Sequence, residues 1–384
     1  MNRQAKVTRS VATLADVARE AGVSKNAVSV VLNGAKASTR VSDGTRQRIL
    51  EAAERLQYRP NTSAQSLVRG RTNTVGVLFG GVDLQNDGIS NEYGASVLSG
   101  IVVACDRYDF NLTLFAKSWY RSNKDAVVYR DQQMDGIVVV APHTDSALVE
   151  EFVSQGIQVS AISYPAPPDA DGTTAWDSTD VDNRRGAELA TEHLIRLGHR
   201  RIAHLMGTPT LVSAPLRRDG YLAVLKRANI PFAEELLIQG LPVGAPGCAS
   251  GSYGAETVPE DTRRLLALPD PPTAIFAAND RMALEVFRSV SAAGIAVPEQ
   301  LSIIGFDDFS FASILEPPLT TVRQPLSAIG ERSAELLIAR ILVGGSRSQE
   351  ETAVKPPTIY LLSPELIVRG STGPAPLSAQ KKGG

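Results

Sequence analysis

Side chains that could bind a small polar molecule follow the apolar runs of this 384-residue sequence. Ser163 ends the run IQVSAIS, Asn279 ends PTAIFAAN, and Asp307 lies near the end of LSIIGFDD. Hydroxyl, amide and carboxylate groups suit a polyhydroxylated ligand, because each ligand hydroxyl donates one hydrogen bond and accepts others. Four more polar residues follow apolar runs in the same way: Asp83, His143, Asp280 and Asp308. We therefore predict a ligand site built from strand ends, but for Asp280 we favour capping of the following helix, and for Asp308 a loop or cap role, over ligand contact.

Strand-like runs alternate with helix-like stretches from Val75 onward, which is typical of parallel sheets joined by right-handed crossovers. The alternation occurs twice, over 75–163 and 182–305, and predicts two similar lobes. Ligands bind outside the carboxyl ends of the strands in such sheets, so we expect a cleft between the lobes. The predicted strands are TVGVLF, NLTLFA, DGIVVVA, IQVSAIS, RRIAHLMG, PTAIFAAN and LSIIGFDD, and the predicted helices cover 93–107, 183–197, 215–228 and 280–293. The run VGVLFGG lacks the glycine fingerprint of dinucleotide-binding proteins, which disfavours a Rossmann oxidoreductase.

A small helical unit precedes this body. Thr13 can cap a first helix, and Gly22 can end that helix in a left-handed turn. Ser24 can cap a second helix after a turn of about three residues, which is the helix-turn-helix arrangement. Ser42 can cap a third helix, whose buried face would consist of Ile49, Ala52, Ala53 and Leu56.

The second helix leaves short or polar side chains on its outer face, so it could enter a DNA major groove deeply. Asn26 can hydrogen-bond an adenine edge, while Ala27 and Val30 can contact thymine methyl groups. Lys25 is exposed beside them, and the candidates for phosphate contacts are Thr13, Ser24, Ser29 and Asn33. Residues 1–71 hold 13 of the 39 Lys and Arg but 5 of the 41 Asp and Glu, which favours a polyanionic partner. A helical domain that binds protein is the alternative.

A short stretch, PNTSAQSLVRGRTNT, follows the third helix. Asn61 can cap a helix through Ala64 to Val68, but about eight residues are too few to stay helical alone in water. Leu67 would then be apolar and exposed. Two copies of this helix could pack together and insert Leu67 between base pairs in the minor groove. A plain linker is the alternative.

The bulk composition is ordinary for a globular chain, with 43% hydrophobic and 21% charged residues, and the length predicts two to three domains. No apolar run of about 18 residues occurs, so we expect no membrane span. The N-terminus lacks the apolar region of a secretory signal, so we expect a cytoplasmic protein. Cys105 and Cys248 form neither a disulfide framework nor a metal-binding pattern, and we expect no metal or cofactor.

The head motif TLADVAREAGVSKNAVSVVLNG and the hinge motif AQSLVRGRTNTVGVL resemble the LacI/GalR (lactose-repressor) family. The resemblance continues in order through HLIRLGHRRIAHLMG, RRDGYLAVL, AIFAANDRMALEVF, PPLTTVRQP and ELIVRGST, and it covers residues 11 to 372. It implies an all-α helix-turn-helix head and an α/β body, which is a two-lobed periplasmic-binding-protein-like domain with parallel sheets. It also implies a hinge helix that folds only on DNA, with Leu67 opening the central base step.

The resemblance assigns the effector contacts to Arg217, Asn279 and Asp307, and places Gln324 near the pocket where the chain crosses between the lobes. From position alone, a surface arginine of a helix is the favoured interpretation of Arg217, and the motif match reverses that preference. Two departures stand out: Val30 replaces an arginine of the lactose repressor, and Ser163 replaces an acid that many sugar-responsive members carry. Tyr253 is a candidate aromatic platform for a sugar face or else a surface residue.

The predicted domains are a DNA-binding head (1–60), a hinge and linker (61–72), an effector and dimerisation domain (73–370) and a disordered tail (371–384). Within the body, lobe 1 is expected over about 73–177 and 307–337, and lobe 2 over about 178–306 and 338–370. The tail lacks the heptad helix with which the lactose repressor forms tetramers, so the resemblance implies a homodimer.

The sequence thus predicts a DNA-binding transcriptional regulator, a repressor of operator DNA, controlled by a sugar-like effector. A nucleobase corepressor is the alternative effector. A solute-binding protein of a transport system would share the two-lobed body, but the basic head disfavours it. An enzyme is disfavoured because no nucleophile–base set is visible.

Overall fold

A computed structural model describes residues 12–33, 41–59, 71–80, 92–116, 125–130, 134–167, 174–241, 255–344 and 357–376. The chain divides into two compact units, residues 1–74 with 133–135, and residues 75–132 with 136–384. Within the described ranges, no helix is long and apolar enough to cross a membrane.

The first unit contains three short helices, α1 (Leu14–Ala21), α2 (Lys25–Asn33) and α3 (Asp43–Arg55). Thr13 caps α1 in a reciprocal capping box with Asp16, and Gly22 ends the helix at φ 66°. Ser24 Oγ accepts the Ala27 N–H at 3.2 Å, and Ser42 caps α3. The three caps and the left-handed glycine are therefore confirmed.

Small side chains let these three helices pack closely. The buried core is Val17, Ala18, Ala21, Val28, Ile49, Ala52 and Ala53, with Val23, Val31, Leu32 and Leu56 partly buried against it. Ala27, which the sequence predicts on the outer face of α2, is also partly buried against this core, whereas Lys25 and Asn26 are exposed.

The first lobe of the second unit is a six-stranded sheet in the order β2-β1-β3-β4-β5-β11. Its strands are β1 (Thr74–Phe79), β2 (Asn111–Leu114), β3 (Gly136–Val140), β4 (Val159–Ile162), β5 (Asp177–Val181) and β11 (Ile359–Leu362). Four neighbouring pairs are parallel: β1 with β3, β3 with β4, β4 with β5, and β5 with β11. The helices that precede or follow these strands are α4 (Glu92–Arg107), α5 (Val127–Arg130), α6 (Leu148–Ser154) and α11 (Leu326–Gly344).

The second lobe repeats this strand order, β7-β6-β8-β9-β10-β12. Its strands are β6 (Ile202–Leu205), β7 (Leu237–Ile238), β8 (Ala274–Ala277), β9 (Ser302–Asp307), β10 (Thr320–Arg323) and β12 (Glu365–Ile367). All registered pairs are parallel except β10 with β12. Its helices are α7 (Asn183–Arg196), α8 (Ser213–Arg227), α9 (Val258–Leu266) and α10 (Asp280–Ala292). The predicted pair of similar lobes is confirmed.

Helices α4 and α11 of the first lobe approach each other at glycines. A Cβ atom at Gly100 would collide with the backbone at Ser327, and one at Gly330 would collide with the backbone at Val97. The absence of these two side chains therefore permits the close contact that covers this face of the sheet.

The predicted lobe boundaries are wrong in the last third of the chain. Strand β10 (Thr320–Arg323) lies in the sheet of lobe 2, whereas α11 packs on β3 to β5 and β11 pairs with β5 in lobe 1. The chain therefore crosses between lobes after β5, after β10 and again between β11 and β12. Strand β10 pairs with the preceding strand β9, whereas β11 pairs with β5, which lies much earlier in the chain, and local sequence does not reveal that long-range partner.

The start of the predicted disordered tail is also ordered. Ser371 is fully buried, and its Oγ donates to the Ile303 carbonyl at 2.6 Å. Ala375 is buried too, and its N–H donates to the Leu197 carbonyl. Residues 371–376 are thus part of lobe 2, and 377–384 lie outside the described residues.

Candidate functional site

A cleft of about 800 Å³, part of it open to solvent, lies between the two lobes at the carboxyl ends of their strands. Five sequence-predicted residues line it together: Ser163, Arg217, Asn279, Asp307 and Gln324. The remaining lining is mainly apolar and includes Met206, Leu211, Val212 and Phe309. An apolar wall with a few convergent polar groups is the usual composition of a small-molecule site.

Arg217 enters the cleft from α8 and is only 7% exposed. Its Nε donates to Asn183 Oδ1 at 2.9 Å, and its Nη1 donates to the Ala278 carbonyl. The guanidinium carbon lies 3.6 Å from the centre of the Phe306 ring. Burial lowers the pKa of Arg217 and the charge of Asp307 raises it, but a guanidinium stays charged in proteins. The structure thus holds a fixed positive charge in the cleft.

Asp307 ends β9 with a φ of 124°, a conformation that side-chain-bearing residues rarely adopt. Gln324, just after β10, donates from Nε2 to Asp307 Oδ1 at 2.6 Å. Burial raises the pKa of Asp307 to about 7, although Arg217 and the bond from Gln324 lower it. Burial therefore holds the pKa of Asp307 well above that of an exposed carboxyl.

Asn279, rather than Asp280, caps α10. Asn279 Oδ1 accepts the Met282 N–H at 2.8 Å, so its amide NH₂ is the group it can offer to a ligand. The prediction that Asp280 caps the helix is wrong, because the helix begins at Asp280 itself. Asp280 is fully buried and accepts from Thr321 Oγ1 at 2.5 Å and from the Phe309 N–H at 2.9 Å. It ties α10 to β10 and to the loop after β9.

Ser163 connects the cleft to a buried carboxylate. Ser163 Oγ donates to Asp180 Oδ1 at 2.9 Å, and the Tyr93 hydroxyl lies 3.2 Å from the same Ser163 oxygen. Asp180 Oδ2 accepts from Asn183 Nδ2 at 3.0 Å, and Asn183 in turn holds Arg217. Burial raises the pKa of Asp180 to about 6, while the hydrogen bond from Ser163 lowers it. We call this chain Ser163–Asp180–Asn183–Arg217 the crossover relay, since it spans the first chain crossing between the lobes.

Two hydrogen-bonded contacts join the lobes beside the cleft. His143 Nδ1 lies 2.6 Å from Thr210 Oγ1, and the Thr144 N–H donates to the Thr210 carbonyl at 2.9 Å. Glu92 of lobe 1 accepts the Ser310 N–H at 2.8 Å and the Ser310 hydroxyl at 2.9 Å. These contacts hold the two lobes in one relative arrangement.

The remaining polar candidates either form ion pairs within lobe 2 or lie outside the described residues. Asp308 pairs with Arg323 at 2.7 Å and Arg369 at 2.6 Å. Tyr253, Asp83 and the rest of loop 81–91 lie outside the described residues. Among the described residues, no group of three His, Cys, Asp or Glu could hold a metal ion.

Sequence reasoning missed Asp180, Asn183 and Arg281. Asp180 lies in β5, whose sequence DSTDV is polar although every residue of it is buried. A polar stretch just before a helix-capping Asp182 was a readable signal for buried hydrogen bonding. Arg281 lines the cleft from the first turn of α10, and no pattern distinguishes it from a surface arginine.

Most of the predicted DNA contacts in the described part of the head are at least partly exposed. Thr13, Ser24, Lys25 and Asn26 are exposed, and Ala27, Ser29 and Val30 are half-buried. Asn33 is an exception, being 3% exposed with Nδ2 3.5 Å from Ser29 Oγ. Its prediction as a phosphate contact is not supported by this position, since it turns inward at the end of α2. Asn61, Ala64 and Leu67 lie outside the described residues.

A helix-turn-helix head on a two-lobed body with a polar cleft defines a class, the DNA-binding regulators that carry their own small-molecule site. The chain belongs to the lacI family of bacterial regulatory proteins, whose sequence pattern matches residues 13–61. A periplasmic binding protein-like domain matches residues 191–372. The family and the fold class expected from the motifs are confirmed.

Relatives match over nearly their whole length. The "Probable HTH-type transcriptional repressor ExuR" of Bacillus subtilis is 31% identical over 94% of this chain and 98% of its own. The ribose operon repressor of Escherichia coli is 31% identical over 94% of this chain and all of its own. A crystal structure of the lac repressor dimer bound to operator and the anti-inducer ONPF has a TM-score of 0.74 at 26% identity, covering 95% of this chain and all of that one.

Proposed function

We propose that this protein is a repressor whose affinity for operator DNA is set by a sugar or sugar derivative bound in the cleft. The observation that carries the proposal is the convergence of Ser163, Arg217, Asn279, Asp307 and Gln324 at strand ends from both lobes. Their hydroxyl, guanidinium, amide and carboxylate groups can hydrogen-bond a ring of hydroxyls. The ribose operon repressor, by its name, acts on a sugar operon, which supports a sugar over a nucleobase.

The cleft can control the head only if a ligand favours one lobe arrangement over another. The cleft draws its polar groups from both lobes, so a ligand that contacts both stabilises one relative position. Such coupling is reciprocal, so DNA must change ligand affinity by the same factor as the ligand changes DNA affinity. Operator affinity measured with and without the ligand gives the sign of this coupling.

We further propose that the working form is a homodimer in the cytoplasm, since the lac repressor structure is a dimer on its operator. Two heads would contact a pseudo-palindromic site with half-sites about one helical turn apart. The outer face of α2 would lie in the major groove, with Lys25 and Asn26 as exposed contacts. Leu67 would insert into the minor groove between the half-sites. The proposed role includes no chemical turnover, so the ligand should be recovered unchanged.

The test begins with full-length protein and two parallel screens. Selection from random duplexes gives the operator, and a thermal-shift panel of monosaccharides, disaccharides, sugar phosphates, polyols and nucleobases gives the ligand. A ligand at about 100 times its Kd should stabilise the fold by about 2.7 kcal/mol. Operator affinity is then measured with and without each hit.

The outcomes separate the two halves of the proposal. Equal affinity for selected and random DNA would overturn sequence-specific binding. A hit that leaves operator affinity unchanged would overturn effector control. A nucleobase hit would replace the sugar with a corepressor of the alternative kind. Leu67→Ala tests the insertion of Leu67 between base pairs. If that insertion occurs, the substitution should weaken operator binding far more than binding to random DNA.

A further inference from the structure

We infer that Asp135 is a positioning residue that fixes the point at which the chain leaves β1 toward the hinge, and that it thereby sets the half-site spacing that the dimer accepts. The inference rests on the proposed function, because it assumes a homodimer on an operator with two half-sites. It does not depend on what binds in the cleft. The residues concerned are Asp135, just before β3, and Thr72 and Asn73, just before β1. We call these three residues the hinge anchor.

The Asp135 carboxylate accepts three hydrogen bonds from two consecutive residues. Its Oδ1 accepts the Thr72 N–H at 2.7 Å and the Thr72 hydroxyl at 3.0 Å, and its Oδ2 accepts the Asn73 N–H at 2.7 Å. A carboxylate that accepts from N–H groups forms stronger hydrogen bonds than a neutral acceptor does. Residues 133–135 accordingly group with residues 1–74 in one compact unit. Both oxygens of one side chain thus hold the main chain at the end of the hinge stretch.

The hinge anchor lies where two neighbouring strands begin. Strands β1 and β3 pair in parallel with Val75 opposite Gly136, and both of these residues are buried. Thr74 and Asp135 directly precede that pair, and the Asp135 N–H donates to the Thr74 carbonyl at 2.9 Å. Since the hinge stretch ends at Thr72, Asp135 ties that stretch to the buried start of the sheet.

The hinge anchor holds Asn73 in a conformation that costs free energy. The φ of Asn73 is 50°, in the left-handed region that residues with side chains rarely adopt. Its Oδ1 is buried and accepts no hydrogen bond from any described residue, which is a further cost. The bonds to Asp135 offset these costs. We therefore expect that loss of Asp135 releases residues 72 and 73 and does not leave them in place.

The length of the released segment decides its effect on DNA binding. Two residues of extended chain span up to about 7 Å, whereas one base pair adds about 3.4 Å to the duplex. The slack from one released anchor therefore exceeds the displacement of a half-site by one base pair. An intact hinge anchor should make the dimer sensitive to half-site spacing, and a released one should make it tolerant.

Asp125 provides a matched control carboxylate. It is exposed, and its Oδ1 accepts the Val127 N–H at 2.9 Å, so it bonds within its own segment. Asp125 and Asp135 thus both accept a main-chain N–H, but only Asp135 accepts from the end of the hinge stretch. The same substitution at the two positions separates the loss of the hinge anchor from the loss of a carboxylate.

The experiment measures the affinity of full-length protein for four duplexes: the selected operator, two operators with half-sites one base pair closer or farther apart, and random DNA. Wild-type protein should bind each respaced operator about 10-fold more weakly, or worse, than the selected one. Asp135→Ala should bind the selected operator about 10-fold more weakly than wild type, because a longer linker lowers the effective concentration of the second head. It should distinguish the three spacings by less than about 3-fold. Its affinity for random DNA should not change, since phosphate contacts from the head supply that binding.

Milder variants keep the test decisive if Asp135→Ala does not fold. Asp135→Asn keeps the size of the side chain and one acceptor oxygen, so its spacing preference should lie between those of wild type and Asp135→Ala. Thr72→Val removes only the hydroxyl donor, and in combination with Asp135→Ala it should cause no further loss, because both substitutions act on one set of bonds. Asp125→Asn should match wild type in all four affinities. Thermal unfolding of each variant reports whether the fold is retained.

The outcomes separate a failure of this inference from a failure of the proposed function. The inference is overturned if folded Asp135 variants keep the wild-type spacing preference, or if they bind all four duplexes more weakly by one common factor. It is also overturned if wild-type protein prefers the selected sequence but binds its three spacings equally, and in that case sequence-specific binding still stands. Equal affinity of wild-type protein for selected and random DNA would overturn both.

Discussion

Ser163 and Asp307 occupy the same place in two lobes of equal strand order, each just at the end of the fourth strand. Both have positive φ angles, 56° at Ser163 and 124° at Asp307. Lobe 2 places a carboxylate directly in the cleft there, whereas lobe 1 places a hydroxyl and keeps its carboxylate, Asp180, behind that hydroxyl. The repeated topology thus repeats the position of the site but not its chemistry.

The difference assigns separate tasks to the lobes. Lobe 2 presents the fixed positive charge of Arg217, the amide of Asn279 and the carboxyl group of Asp307. Lobe 1 presents hydroxyl groups whose orientation depends on Asp180. The other acid of β5, Asp177, is likewise kept from the cleft, since it pairs with Arg340 of α11. Variants that change one lobe at a time test this division.

Removing the fixed charge of lobe 2 should have the largest effect. Arg217→Gln deletes a buried cation and its hydrogen bonds, and we expect ligand affinity to fall by about 100-fold or more. Operator binding without ligand should remain, because the helix-turn-helix is a separate unit. Calorimetry with the screened ligand and an operator-binding assay measure the two quantities.

Arg218→Gln is the matched control for that substitution. Arg218 is the next residue on α8, and it pairs with Asp219 at 2.7 Å near the surface. If Arg217→Gln and Arg218→Gln lower ligand affinity equally, the loss of affinity reflects damage to α8 and not the loss of a contact in the cleft.

Breaking the crossover relay in lobe 1 should have an intermediate effect. In Asp180→Asn, the new amide NH₂ would face the Asn183 NH₂ donor, so one hydrogen bond is lost. We expect this substitution and Ser163→Ala each to lower ligand affinity by about 10-fold. Ser163 and Asp180 belong to one chain of hydrogen bonds. The double variant should therefore bind the ligand about as tightly as the single variant with the lower affinity. Fully additive losses would show that Asp180 does not act through Ser163.

The strand that carries Asp180 shows where sequence reasoning ends. Apolar runs such as DGIVVVA identify their strands because burial on both faces leaves a continuous hydrophobic signal. Strand β5, DSTDV, is buried as well, because hydrogen bonds satisfy its two acids: Asp180 accepts from Ser163 and from the nearby Asn183, and Asp177 pairs with Arg340. The polar stretch signals buried hydrogen bonding, but a partner as distant in sequence as Arg340 cannot be identified from a local pattern.

The site divides in the same way. Asn279 and Asp307 follow apolar strands, so position alone predicts them, and family motifs add Arg217 and Gln324. Arg281 and Asn183 acquire their places only when α7, α8 and α10 pack together. The lobe assignment of β10 and β11 likewise depends on which sheet edge each strand joins.

The acid of lobe 2 should make binding depend on pH. The pKa of Asp307 is raised to about 7 by burial, and the groups around it are Arg217, Gln324, Glu92 and Asp280. Protonation on lowering the pH from 8 to 6 converts the accepting carboxylate into a neutral carboxyl, so a sugar that donates to Asp307 should bind a few-fold more weakly at pH 6. Asp307→Asn should abolish this trend in a titration series, and a trend that persists would belong to another group.

The contacts between the lobes should give the smallest effect. Thr210→Val removes the hydroxyl that lies 2.6 Å from His143 Nδ1 but keeps the Thr210 carbonyl that accepts the Thr144 N–H. A single hydrogen bond contributes about 0.5–1.5 kcal/mol, so ligand affinity should fall by about 2- to 10-fold if the described arrangement is the one that the ligand favours. Ser310→Ala on the other contact keeps the backbone bond to Glu92 and should act independently, so the two losses should add. Tighter ligand binding in Thr210→Val would show the reverse, that the ligand favours a different arrangement and that these contacts oppose it.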